Sequence, residues 1–146
     1  MNTQTNLYKT DFHAWCFEQA KNLEAASFDK LDLKNLAEEI DSMGRKERTE
    51  LRNHLIVLFS HLLKMKYQPD YCNKDSWIRT IREQRNQIEL LMEDSPSLQY
   101  SIDEISIRAY EKGLRLAEEE MSLSVPDHKL NYIMTLKNAL TKNWLP

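Results

Sequence analysis

Apolar residues recur every three or four positions through five stretches of this chain, the spacing of helices with one face turned inward. The first stretch runs from about Asp11 to Ala26. There Phe12, Trp15, Cys16, Ala20 and Leu23 share a face, and Thr10 stands where a cap is expected. Asp11 suits the positive end of the helix dipole. Ser27 to Leu31 reads as a turn. Asp32 then caps the longest stretch, which reaches about Lys66. Along it Leu33, Leu36, Ala37, Ile40, Met43, Leu51, Leu55, Leu58, Leu62 and Met65 keep helical phase. Gly44 interrupts the stretch without shifting its phase, so one long helix is expected, with a kink or break at Gly44. From Leu55 to Leu63 the helix is apolar nearly all round and belongs in the middle of a bundle. Pro69 closes the segment that follows.

A third helix is expected from about Asp75 to Glu93, with Trp77, Ile78, Ile81, Ile88 and Met92 on its face. Ser95-Pro96 is a restart signal, a capping Ser with Pro at the first helical position, and the fourth helix is read on to about Leu123. Val125, Pro126 and Asp127 make a loop. The fifth helix, near Lys129 to Thr141, carries Leu130, Ile133, Met134, Leu136 and Leu140. The pattern therefore predicts an all-α bundle of about five helices with one long central helix and no sheet. It forms a single domain over residues 1–146 with a flexible N-terminus over 1–9.

Composition sharpens this picture. The 146 residues include 20 Leu but only 2 Val, 2 Gly and 4 Pro, a poor supply for sheets and their turns. The net charge of -3 gives no general attraction to nucleic acid or anionic lipid. No run reaches the roughly 18 apolar residues that a membrane span requires. Met1 to Thr10 is polar, with no signal-peptide core. Cys16, between Trp15 and Phe17, reads as a small buried thiol, and Cys72 as a loop thiol; two isolated cysteines make no disulfide framework. The expected location is the cytoplasm.

A line of polar residues runs through the predicted core. With Leu58 at the centre of the apolar face, Glu47, His54 and His61 all fall within roughly 60° on an α-helical wheel. On the third helix Arg85 lies where the pattern asks for another Leu, among Ile78, Ile88 and Met92. A lone buried charge is costly, so Arg85 is expected to pair with Glu47 or Glu39, with a histidine nearby. A register-fixing network, a metal site and a catalytic pocket using Glu47 with a His all remain open. Metal binding suits the spacing poorly. His54 and His61 are about 10.5 Å apart along the axis, too far to share an ion, so no metal or cofactor is assigned.

Arg79, Arg82 and Arg85, with Lys64, Lys66 and Lys74, are not read as a nucleic-acid patch but as solvated helix charge, Arg85 excepted: Arg79 and Arg82 point away from each other, Arg85 points inward, and Glu83 and Glu89 interrupt the surface. The fourth helix carries two seams. Leu98, Ile102, Ile105, Ala109 and Leu116 form one; Ile107, Tyr110, Leu114, Ala117 and Met121 form the other, nearly opposite. The second seam is either covered by another helix of the chain or is an interaction face. With Gly44 and Gly113 the only glycines, no phosphate-cradling loop is present, and neither a nucleophile elbow nor HExxH occurs.

Several motifs resemble one known family. They are Asp11-Phe12-His13-Ala14-Trp15, the run Leu31 to Ile40 (Leu-Asp-Leu-Lys-Asn-Leu-Ala-Glu-Glu-Ile), Met43-Gly44, His61-Leu62-Leu63-Lys64, Gln68-Pro69, Ser76-Trp77, Thr80-Ile81-Arg82-Glu83-Gln84-Arg85 and Asp94-Ser95-Pro96-Ser97-Leu98. In this order they are similar to the bacterial domain-of-unknown-function family twenty-nine, common in cyanobacteria. The last third departs from it: the family's Cys-Pro-Tyr-like run is replaced by Asp127-His128-Lys129-Leu130-Asn131-Tyr132. The resemblance implies a small all-helical bacterial protein and supplies no activity and no catalytic residues. Its motif positions include Glu39, His61, Gln84 and Arg85. The expected function is a non-enzymatic module that binds a protein partner or itself, without nucleic acid, membrane or cofactor. The alternative is a small-molecule or metal-dependent enzyme built on the Glu/His/Arg cluster.

Overall fold

The expected long helix is the longest element of the computed structural model, which describes residues 3–126 and 134–146, the first four of these by backbone only. The helices are α1 (Thr3–Thr10), α2 (Phe12–Glu24), α3 (Leu33–Tyr67), α4 (Lys74–Asp94), α5 (Ile102–Met121) and α6 (Leu136–Leu140). Two 3-10 turns, Phe28–Lys30 and Pro96–Tyr100, connect them, and no strand occurs among the described residues. The α3 helix runs its 35 residues without a break at Gly44. Two boundaries differ from the pattern. Asp11, not Thr10, caps α2, accepting a hydrogen bond from the Ala14 amide at 3.0 Å. The Ser95-Pro96 restart winds only the 3-10 turn; a fresh helix begins at Ile102, so the expected fourth helix is two elements. Of the expected fifth helix, residues 136–140 are helical, with Thr135 extended and capping the Asn138 amide. Asp127, Lys129, Leu130 and Ile133 lie outside the described residues.

The chain divides into two compact units, Met1–Lys46 and Glu47–Pro146. In the first, polar anchors fix the helices. The Asp32 carboxylate accepts from Trp15 Nε1 (3.0 Å) and Asn35 Nδ2 (2.8 Å), and the Asp32 amide donates to Gln19 Oε1 (2.8 Å). Trp15, Gln19 and Asp32 are all buried. This seats α2 against the start of α3 through an Asp at the position that opens the helix. Tyr8 stacks edge-on against Trp15 (4.8 Å) and donates its hydroxyl to Glu39, a hydrogen bond that holds the proton and raises the Tyr8 pKa. Only Trp15 of the expected α2 face is buried, while Cys16 is exposed. The inward-facing pair is Trp15 and Gln19, one turn apart, so the burial stripe is narrower than the apolar one.

In the second unit, α3 from Leu51 onward is the core. Leu51, Leu55, Leu58, Phe59, Leu62 and Leu63 are fully buried and pack with Ile81 and Ile88 of α4 and Ala109, Tyr110, Leu114 and Ala117 of α5. Gly113 lets α5 approach α3 closely: a methyl there would stand 2.9 Å from the Ile56 carbonyl oxygen and 3.1 Å from Phe59 Cβ. Most of both predicted seams is thereby covered, Leu116 of the first and Ile107 of the second remaining exposed.

Candidate functional site

The polar residues singled out by the helical wheel do lie at the edge of the core or within it, but they do not form one constellation. Glu47 is half-buried and accepts from the Ser95 hydroxyl at 2.9 Å. His54 is half-buried and its Nδ1 meets Gln84 Oε1 at 2.6 Å, with Glu50 at 3.8 Å from Nε2. His61 gives Nδ1–H to the Val57 carbonyl of its own helix at 2.8 Å, and burial lowers its pKa, which favours the neutral ring. Glu39 belongs to the N-terminal unit and is taken by Tyr8.

Arg85 is buried, as its place in the stripe requires, but the expected carboxylate partner is wrong. Its Nε donates to the Ala139 carbonyl (2.8 Å) and Nη2 to the Trp144 carbonyl (2.7 Å). The reason is geometric. The Ala139 carbonyl at the end of α6 has no partner within that short helix, the Trp144 carbonyl lies in the tail beyond it, and a guanidinium fork can reach both. Arg85 therefore ties α4 to the C-terminal segment. Burial, with no carboxylate to offset it, pulls its pKa below the ordinary value.

Periodicity missed a second buried cation. Lys64, read as surface charge, is buried, pairs with Glu120 of α5 and lies 5.1 Å above the Trp77 ring. Tyr71 stacks on the other partner in this set, Trp77, at 4.9 Å. The signal lay in the sequence: Lys64 directly follows the nearly all-apolar stretch from Leu55 to Leu63, where a solvent-facing sector is hard to find. Arg79 and Arg82 are exposed, as expected of solvated charge.

The candidate interaction seam is largely internal. Tyr110, Leu114, Ala117 and Met121 are buried in the second unit's core, and only Ile107 is exposed. These four are therefore closed to a partner in the folded chain. Exposed large apolar residues occur in both units: Phe12, Phe17, Leu23, Phe28, Leu33, Ile40 and Met43 in the N-terminal unit, and Tyr71, Leu90, Tyr100, Ile107, Leu116, Leu123 and Leu145 in the second. Leu33, Ile40 and Met43 were expected in the core, because they continue its row along α3. No helix among the described residues is long and apolar enough to cross a membrane, and no three His, Cys, Asp or Glu among them are placed to hold a metal ion.

A family model described as a domain of unknown function, DUF29, matches residues 7–145. No curated protein and no solved structure matches the chain.

Proposed function

We propose that this chain, which belongs to the DUF29 family of domains of unknown function, is a non-enzymatic protein-binding module acting in the bacterial cytoplasm. One observation carries this reading. Phe17, Phe28, Leu33, Ile40 and Met43 are each more than 60% exposed, all within the N-terminal unit. Single exposed apolar residues are ordinary, but this many large ones crowded into some thirty consecutive positions mark a surface meant to be covered. The polar cluster supports the same conclusion. Each of its groups is engaged in a separate local pair, so no acid and base converge on a common point. Two free, exposed thiols, Cys16 and Cys72, suit a reducing compartment.

The test is a double substitution, Ile40→Glu with Met43→Glu, at exposed positions where helix content should survive. Sedimentation velocity of the unmodified chain measures self-association, and tagged capture from the source cell measures other partners. The substitutions should abolish whichever complex is found. A chain that is monomeric throughout, with capture unchanged by both substitutions, refutes the reading.

A further inference from the structure

Arg85 holds the Ala139 and Trp144 carbonyls, yet among the described residues its charge has no counter-ion. It makes no ion pair among the described residues, although Glu89 lies one helical turn away on the same helix. A guanidinium has five N–H donors, and the two carbonyls occupy two of them. The side chain is only 9% exposed, so water compensates the remaining charge poorly. It lines a cleft of about 360 Å³, within the range of small-molecule sites. Ile88, Met92, Ile102 and Leu140 supply apolar wall to this cleft, and Lys142 stands at its rim with Asn86 and Glu89.

We propose that this cleft binds a small organic monocarboxylate, its charge held by Arg85 and Lys142 and its apolar body lying on Ile88, Met92 and Ile102. The Nη1 and Nη2 hydrogens of Arg85 that the two carbonyls leave free suit a carboxylate's two oxygens, and the desolvated surroundings strengthen that bond. The apolar walls call for a tail, which inorganic phosphate lacks. The Glu89 carboxylate at the rim opposes a second negative charge on the ligand. Because Arg85 also holds the Ala139 and Trp144 carbonyls, the bound anion and the C-terminal segment share one anchor. This site is independent of the N-terminal apolar face.

The experiment titrates the full chain with sodium hexanoate, hexanol and inorganic phosphate in turn, at constant ionic strength, by calorimetry and amide NMR. Hexanoate should bind saturably at one site and shift the amides of Asn86, Glu89 and Lys142. Lys142→Glu, at an exposed position, should weaken it about fivefold or more, as expected for reversal of one partly screened charge. Arg85→Lys, which keeps the charge but loses the fork, should weaken it further. The proposal is overturned by any of three results: no saturable hexanoate binding, hexanol or phosphate binding as tightly as hexanoate, or hexanoate affinity unchanged in both variants.

Discussion

The two glycines of this chain should respond to the same substitution with opposite signs. Both lie inside helices, where Gly→Ala gains about 0.8–1 kcal/mol from propensity alone. At Gly44 a methyl meets nothing within 4 Å, so that gain should be realised nearly in full. At Gly113 the methyl would stand 2.9 Å from the Ile56 carbonyl oxygen, 3.1 Å from Phe59 Cβ and 3.2 Å from the Ser60 amide nitrogen. Two of these three atoms are α3 backbone, which cannot rotate away, and the helix pair must separate. Overpacking of this kind costs typically 1–3 kcal/mol. Subtracting the propensity gain leaves a net loss of up to about 2 kcal/mol for Gly113→Ala. Urea denaturation followed by circular dichroism, with the m-value checked for constancy, reads both changes. A Gly113→Ala that stabilises as much as Gly44→Ala would show that α3 and α5 do not approach at this point. A destabilising Gly44→Ala would show that the exposed side of α3 is covered in solution.

Asp32→Ala should destabilise the N-terminal unit by about 2–3 kcal/mol, since it strands the buried Trp15 N–H and removes the residue opening α3; Trp15 fluorescence in a denaturant series checks it. Tyr110 carries a buried hydroxyl with no hydrogen-bond partner among the described residues, so Tyr110→Phe should be neutral or stabilising by up to about 1 kcal/mol. Burial pushes that hydroxyl up to about 12 in the folded chain, whereas an unfolded tyrosine titrates near 10. Its contribution is therefore intact below pH 10 and lost as pH rises toward 12, by about 2–3 kcal/mol, and the variant should flatten that decline in alkaline unfolding curves. Ala26 and Ser122 hold φ of 53° and 52° at the ends of α2 and α5, so Ala26→Gly and Ser122→Gly should each raise thermal stability by about 0.5–1 kcal/mol.

The helices were legible because burial imposes a period on the sequence. The apolar rows from Leu51 to Met65 and from Trp77 to Leu91, and both α5 seams except Ile107 and Leu116, lie in the core that their spacing demanded. Partners were less legible, because a period reports which way a side chain points but not what it meets. Arg85 shows the difference: its inward direction followed from position, whereas its acceptors are backbone carbonyls more than fifty residues away, and carbonyls leave no mark on a residue pattern. Lys64 shows the converse error. Its charge suggested solvent, but Glu120 and the Trp77 ring compensate that charge inside. The break at Ser101 was hidden because 3-10 and α turns need nearly the same residues, and the seam runs in phase through both.

The same logic gives the exposed residues of α3 their meaning. Leu33, Ile40 and Met43 keep phase with Leu51, Leu55, Leu58 and Leu62 on one continuous helix, yet the first three are exposed and the last four fully buried. Helix propensity does not account for the first group, because Lys, Glu or Gln would serve an exposed helix equally well and more solubly. The needs of the helix itself are therefore met without them. The Trp15–Asp32–Gln19 network and the Tyr8–Glu39 bond already fix α1 and α2 to α3. An apolar row that outruns its own core, on a unit held together by other means, is the observation behind the proposed protein-binding role: large apolar side chains on a scaffold that does not depend on their burial.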